Sequence, residues 1–196
     1  MPRVTRPAFT LVFDLDDTAA QYREAFQSRL RRWGHHAGWA PPAADYDFTA
    51  AGWFTTRDEY LTHHRRAVRE GMFADMDPMP GFLDAAHELA DDGVRLAIAT
   101  HRHLTGDPAW ARLTTLAWLT LIGAPVDKVY FRSAKHTVPG DLYVDDAPHV
   151  IADLDAHGRD RLVFDRPFNR HIAGGRVASW EDVVDQVRVR REAAAA

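Results

Sequence analysis

Cysteine is absent from this 196-residue chain, which excludes a disulfide framework, a thiolate nucleophile and a zinc–thiolate centre. Long apolar runs are absent too. Nothing approaches the roughly 18 residues of a membrane span, and the opening MPRVTRPAF leads into a strand-like run rather than a signal sequence. A dominant charge of either sign is lacking: 24 basic against 28 acidic residues give a formal net charge of −4, and the short cluster Arg29, Arg31, Arg32 reads as a solvated helix face. That balance offers no general attraction for nucleic acid. A GxxxxGK[ST] loop is missing, which excludes a P-loop nucleotide hydrolase. No HExxH-type spacing accompanies the eleven histidines, so His35–His36, His63–His64 and His101–His103 are expected at surface or loop positions rather than around zinc. No internal repeat is present. The expected compartment is the cytoplasm, and self-association into a homodimer is left open.

What remains is an ordinary globular composition, 46% hydrophobic and 27% charged. It fits one compact domain with a small insertion, burying roughly 70% of its unfolded surface. Within it, five carboxylates converge at two points, in FDLDDT at 13–18 and in LYVDD at 142–146. Each follows an apolar run. The residues Phe9, Leu11, Val12 and Phe13 read as a strand buried on both faces, which delivers Asp14, Asp16 and Thr18 to the carboxyl-end edge of a parallel sheet, where ligands bind. The run Leu142, Tyr143, Val144 does the same for Asp145 and Asp146. So many like charges in one small volume repel each other. Either some hold protons or a divalent cation neutralises them, and hard oxygen donors of this kind suit Mg²⁺.

Further strand-like runs recur at Val94–Ala99, Lys128–Phe131 and Leu162–Phe164, separated by amphipathic stretches at about Pro80–Asp92, Pro108–Ile122, Pro148–His157 and Trp180–Arg191. Several of these open with Pro or an acidic first turn, and Gly93, Gly123 and Gly158 stand where helix-ending glycines are expected. The alternation predicts an α/β fold, a mostly parallel sheet with helices on both faces. The order breaks at residues 19–78, which hold two helical candidates, Gln21–Trp33 and Thr56–Glu70, joined by the segment APPAADYDF. This reads as a helical cap standing above the active edge, with 1–18 and 79–196 forming the core. The terminal Ala193–Ala196 is expected to fray.

The spacing Asp-x-Asp-x-Thr suggests a chemistry. Asp14 can bind a metal and attack phosphorus in line, giving an aspartyl-phosphate. Asp16, two residues on, can reach the leaving-group oxygen as general acid and later serve as general base on water. Its crowded acidic surroundings favour the protonated form that role needs. The transferring phosphoryl group also calls for hydroxyl and cationic donors. Thr100, at the end of VRLAIAT, and Lys135, ten residues before Asp145, are the candidates. Lys128 competes with Lys135 but opens a strand at the wrong end of the sheet.

An apolar strand ending in DxDxT, a strand ending in Thr, a loop Lys and a strand ending in Asp-Asp, in that order, resemble the four motifs of the haloacid dehalogenase superfamily. The segments GMFADMDPMPGFLDA at 71–85, GDLYVDDAP at 140–148, FNRHI at 168–172 and ASW at 178–180 are similar to those of the 5′(3′)-deoxyribonucleotidases. The resemblance implies a Rossmannoid core with a cap inserted after the first strand. It makes Asp14 the nucleophile and Asp16 the acid/base and, through its backbone carbonyl, a metal ligand. Asp145 or Asp146 then completes the Mg²⁺ site, the other orienting a water or Lys135. It also implies a small phosphomonoester as partner, a nucleoside monophosphate first, with a sugar phosphate and a non-catalytic phosphate-binding module as the alternatives.

Tyr22 matches a base-contacting aromatic of that family. Trp53, Phe54 and Phe73 either line the cap's inner face or form its core. Two departures stand out: Asp17 occupies a position that is usually Gly, and His101 and Arg102 follow Thr100 where a Ser-Pro or similar is typical. Both of these residues are candidates for contact with substrate, Arg102 with its phosphate or sugar.

Overall fold

The computed structural model describes residues 8–194. The opening segment up to Pro7 and the last two alanines of the fraying expectation lie outside the described residues. Six parallel strands form one sheet in the order β3-β2-β1-β4-β5-β6. In chain order they are β1 (Thr10–Phe13), β2 (Arg95–Thr100), β3 (Lys128–Phe131), β4 (Leu142–Asp145), β5 (Arg161–Phe164) and β6 (Arg176–Val177). β1 lies centrally, with Phe13 in register with Ile98 on one side and Val144 on the other. The acids that follow β1 and β4 are therefore neighbours across one strand spacing. β6, a two-residue strand, has no counterpart in the sequence reading because two residues carry no period.

Side chains alternate across the pleat. Leu11, Phe13, Leu96, Ile98, Val144 and Phe164 face one apolar cluster with α3 (Phe82–Asp91) and α6 (Trp180–Ala193). Val12, Ala97, Ala99 and Tyr143 face a second with α5 (Pro148–Ala156). Both faces of the sheet are thus covered, which is why its strands read as continuous apolar runs. Helix α4 (Pro108–Leu121) starts on Asp107, whose side chain accepts from the Trp110 N–H, and has Pro at its first turn. Helix α6 starts on a reciprocal Ser179–Asp182 capping box. Gly140 precedes β4 because a Cβ there would come within 2.3 Å of Val12 Cγ2. The Val12 side chain packed against this backbone, not turn geometry, demands glycine.

Between β1 and α3 the chain forms a helical layer of α1 (Tyr22–Arg32) and α2 (Arg57–Arg69), with 3-10 turns at His36–Trp39 and Met72–Ala74. Its centre is aromatic. Phe26 is fully buried and has Tyr22, Phe48 and Phe54 each at 5.9 Å between ring centroids. The chain leaves and re-enters the sheet along two segments that pair with each other: Met79 N–H donates to Ala19 O at 2.8 Å and Gln21 N–H to Asp77 O at 3.0 Å.

Two stability predictions follow from this packing. Trp180 packs on Phe13 and Phe82 at 5.3 and 4.9 Å and its indole N–H donates to Thr18 O at 2.9 Å. Trp180→Phe strands that carbonyl, and denaturant melts are expected to show a loss of about 1–3 kcal/mol. His64 on α2 is buried and bonded to Tyr22, and burial pushes its imidazole from 6.5 down to about 4. On acidification the unfolded chain takes up this proton first. The contribution is intact above pH 6.5 and is lost as pH falls toward 4, by about 3 kcal/mol at most. His64→Gln should flatten the stability-versus-pH curve in that window relative to wild type; parallel curves would show that His64 titrates normally.

Candidate active site

Asp14 is the first residue beyond β1, and its N–H continues the ladder to Val144 O at 3.0 Å. Opposite it, the 3-10 turn Lys135–Thr137 buries Lys135, whose Nζ lies 2.6 Å from Asp14 Oδ1 and 2.7 Å from Asp145 Oδ2. The second oxygen of Asp145 accepts the Ala147 N–H at 3.0 Å. Both Asp145 oxygens are therefore committed. Asp146 differs: its Oδ1 accepts the Thr18 hydroxyl at 3.2 Å, and no cation pairs with its carboxylate among the described residues. Asn169, in the FNRHI segment, holds the Asp146 carbonyl through Nδ2 at 2.9 Å and the Phe164 carbonyl at 2.8 Å. The sequence reading gave that segment no such role.

Burial drives the titration of these groups. It raises Asp14 to about 7 against the opposing pull of Lys135, with Asp145 and Asp16 adding to the rise. It raises Asp146 well above the usual carboxylate range, helped by Asp17, Asp145 and Asp14. For Lys135 burial acts downward, but Asp14 and Asp145 more than offset it and the ammonium is stabilised. One lysine thus pairs with two of three buried carboxylates, and one oxygen from each of the three lies within 4.8 Å of the others. Such a set of hard oxygen donors, one of them without a counter-charge, fits a divalent cation.

Asp17 explains the first departure from the family pattern. Its φ is +61°, the left-handed region that suits glycine and is tolerated by Asp. The Arg23 N–H at 2.9 Å and its guanidinium at 2.8 Å hold the Asp17 carboxylate, while Arg166 donates to the Asp17 carbonyl at 2.7 Å. Arg23 is in turn sandwiched between Phe48 and Phe168, 4.4 Å from each ring, and Tyr46 meets His149 and Phe168 at 5.3 and 5.6 Å. The helical layer closes onto the sheet through these contacts.

The resulting cavity, about 590 Å³, is lined by Asp14, Asp16, Lys135 and Asp146, by several aromatic rings, and by further polar side chains including Asp47, Thr49 and Arg57. Among the sequence candidates, Tyr22, Phe73, His101 and Arg102 are on its wall. Several others are placed differently. Trp53 and Phe54 are buried behind the wall, packed on Phe48 and Phe26 at 5.0 and 5.9 Å, and form the core of the helical layer. Thr100 ends β2 as expected, but its side chain is wholly buried, its hydroxyl accepting from the Arg102 N–H. Asp145 lies behind Lys135 rather than on the wall. Asp16 was expected among acids and Arg102 against the substrate; instead the Arg102 guanidinium is buried on the Asp16 carboxylate, Nη2 to Oδ1 at 2.6 Å.

Sequence reasoning missed Tyr46, Phe48, Tyr60, His64 and His149, all of which line the cavity. Tyr60 and His64 stand at i and i+4 on α2, one helix face, and that spacing was a usable signal. His64 is buried, contrary to its expected surface position, with Nδ1 2.9 Å from Tyr22 Oη. His101 is half-buried, donates from Nε2 to Ser133 O at 2.9 Å, and is lowered by burial. A separate group, His136, Asp153 and His157, also brings donor atoms together. Its two rings stack in parallel, 3.6 Å and 2° apart, so their in-plane lone pairs do not aim at one ion.

Comparison with known proteins identifies the family. A family model described as "5' nucleotidase, deoxy (Pyrimidine), cytosolic type C protein" matches residues 8–193. A Chlorobaculum tepidum protein named "Putative 5'(3')-deoxyribonucleotidase" is 35% identical over 136 residues, 68% of this chain and 67% of that protein. The human 5'(3')-deoxyribonucleotidase, cytosolic type, is 27% identical over 124 residues, 57% of this chain and 58% of its own length. A haloacid dehalogenase superfamily hydrolase of subfamily IA from Geobacter sulfurreducens shares the fold, with a TM-score of 0.56 at 14% identity, covering 91% of this chain and 99% of the other. The chain belongs to the deoxy (pyrimidine), cytosolic type C family of 5′-nucleotidases, phosphoric monoester hydrolases, and has the fold of a haloacid dehalogenase-like hydrolase.

Proposed function

We propose that the protein is a Mg²⁺-dependent phosphatase acting through an aspartyl-phosphate, with (deoxy)ribonucleoside monophosphates as substrates. The observation that carries this reading is Asp14 held on Lys135 at 2.6 Å, in a cavity whose wall also carries the rings of Tyr22, Tyr46, Phe48 and Tyr60 among charged and hydroxyl side chains. Asp14, Asp146 and the backbone carbonyl of Asp16 would hold the cation. Asp146 takes this place, rather than Asp145, because it faces the cavity and lacks a counter-charge. When bound, Mg²⁺ supplies the positive charge that draws the phosphate oxygens toward Asp14.

In the first half-reaction an Asp14 oxygen attacks phosphorus and the bond to the ester oxygen breaks. The electron pair stays on that oxygen, which takes a proton from Asp16 and departs as the nucleoside hydroxyl. In the second, a water oxygen attacks the same phosphorus while Asp16 takes its proton. The bond to Asp14 breaks, phosphate leaves and the carboxylate is restored. Lys135 keeps the Asp14 oxygen directed and offsets charge on the transferring group. Residues 19–78 act as a cap that excludes bulk water, hinged where 19–21 pair with 77–79. The rings of Tyr22, Tyr46 and Phe48 border the space in which a base would stack.

Phosphate release from a panel of nucleoside monophosphates and sugar phosphates, with and without Mg²⁺, tests this reading, with Asp14→Asn as the blank. Mg²⁺-dependent release from nucleotides that vanishes in the variant is expected. Preference for sugar phosphates would keep the mechanism and discard the substrate, and no release from any compound would favour a binding module. Calorimetric titration with Mg²⁺ separates the two neighbouring acids: Asp146→Asn should weaken binding by about tenfold or more, whereas Asp145→Asn should leave it within a few-fold. The reverse order would reassign the ligand.

A further inference from the structure

We propose that Arg102 is a positioning residue for the general acid, fixing the Asp16 carboxyl so that Oδ2 meets the leaving-group oxygen. The inference rests on the acid/base role given to Asp16 above. Arg102 enters from the 3-10 turn Arg102–Leu104, just beyond β2. Its Nε lies 3.1 Å from Asp16 Oδ1 and 3.3 Å from Oδ2, and its Nη2 lies 2.6 Å from Oδ1. Nη1 donates to the Thr115 hydroxyl on α4 at 3.0 Å, and the guanidinium lies 4.0 Å over the Phe73 ring.

These contacts fix the cation on three sides. Arg102 is 2% exposed, so it does not swing toward a substrate phosphate. The Asp16 side chain, by contrast, is 28% exposed and stands on the cavity wall. Of its two oxygens, Oδ1 takes both short contacts and Oδ2 only the 3.3 Å one. Oδ2 is the oxygen left to give up a proton to the departing alkoxide and recover one from water. An aspartate without this fork rotates about two torsions, and a displacement of about 1 Å at a reacting group costs about 100-fold in rate. A planar guanidinium bonded at three nitrogens holds the carboxyl in a way that an ammonium cannot. Thr115, on a different helix, extends the support by holding the far side of the guanidinium.

Proton donation matters only for leaving groups that need a proton, which separates this role from a general one. The alkoxide of a nucleoside does; 4-nitrophenolate leaves as the anion. The quantity kcat/KM reports the steps up to release of that first product, before the water step common to both. The experiment compares kcat/KM for a nucleoside monophosphate and for 4-nitrophenyl phosphate in wild type, Arg102→Gln, Arg102→Lys and Thr115→Val, with saturating Mg²⁺ and equal folded fractions. Arg102→Gln and Arg102→Lys should lose about 100-fold on the nucleotide and less than about threefold on the aryl ester. Thr115→Val, an isosteric change that keeps the fold, should show a smaller loss with the same selectivity. The inhibition constant of inorganic phosphate should stay at the wild-type value in all three.

Equal losses on both substrates, no loss on either, or a raised phosphate inhibition constant in the Arg102 variants would overturn the assignment. The last would place Arg102 on the phosphate itself. If the variants at 102 fail to fold, a leaving-group-independent result in Thr115→Val is enough to reject it. A wild-type protein inactive on both esters would instead reject the proposed function, and the inference with it.

Discussion

Five aspartates at one sheet edge set the terms for everything around them. Asp14, Asp145 and Asp146 are buried with one oxygen from each within 4.8 Å of the others, an arrangement that burial and mutual repulsion both oppose. Lys135 relieves part of this by touching two of the three, and its own burial is compensated by the charge it meets. The other two acids are settled separately, Asp16 on Arg102 and Asp17 on Arg23. Asp146 alone of the five has no cation paired with its carboxylate among the described residues, and burial with the neighbouring acids holds its carboxyl well above the usual carboxylate range. A divalent cation would relieve this crowding, and the proposed place for it is beside the one acid of the buried three that Lys135 does not touch.

This arrangement makes the surrounding packing functional. The central position of β1 between β2 and β4 brings the two acidic turns together, while Asn169 ties the Asp146 backbone to the end of β5. Arg102 reaches Asp16 from beyond β2 and is steadied by Thr115 of α4. Strands β1, β2, β4 and β5 therefore each deliver or brace one part of the site at their carboxyl ends, the general location of sites in open α/β sheets. The opposite wall belongs to the helical layer, whose rings pack among themselves and against Arg23 and Phe168. Its aromatic content serves two purposes, with Phe26, Trp53 and Phe54 holding the layer together and Tyr22, Phe48 and Phe73 facing the cavity.

The sheet, its helices and the acids gathered at its edge were legible in the chain because each carries a local signature. Buried parallel strands read as unbroken apolar runs, helices α2, α4 and α6 start on Thr, Asp and Ser caps with Pro opening α4 and α5, and the acids fall at or directly after strand ends. Trp53, Phe54 and Arg102 were read less well. An aromatic in a helical insertion looks the same in sequence whether it faces a cavity or the ring behind it. An arginine after a strand does not announce whether it will meet a phosphate or an aspartate 86 positions away. Tyr60 and His64 shared a helix face that sequence could have indicated, whereas Tyr46 and Phe48 lie in an aperiodic segment that gives no direction.

The sequence by itself determined the alternation of strands and helices, the family resemblance and the identities of Asp14, Asp16, Lys135, Asp145 and Asp146, because these depend on residue type and on spacing along one strand or turn. Tertiary structure alone decided which acid is balanced by Lys135 and which is not, which aromatics face the cavity, and that Arg102 belongs to Asp16. Those outcomes depend on distances between segments far apart in the chain, which are set by strand order and by how the helical layer settles on the sheet.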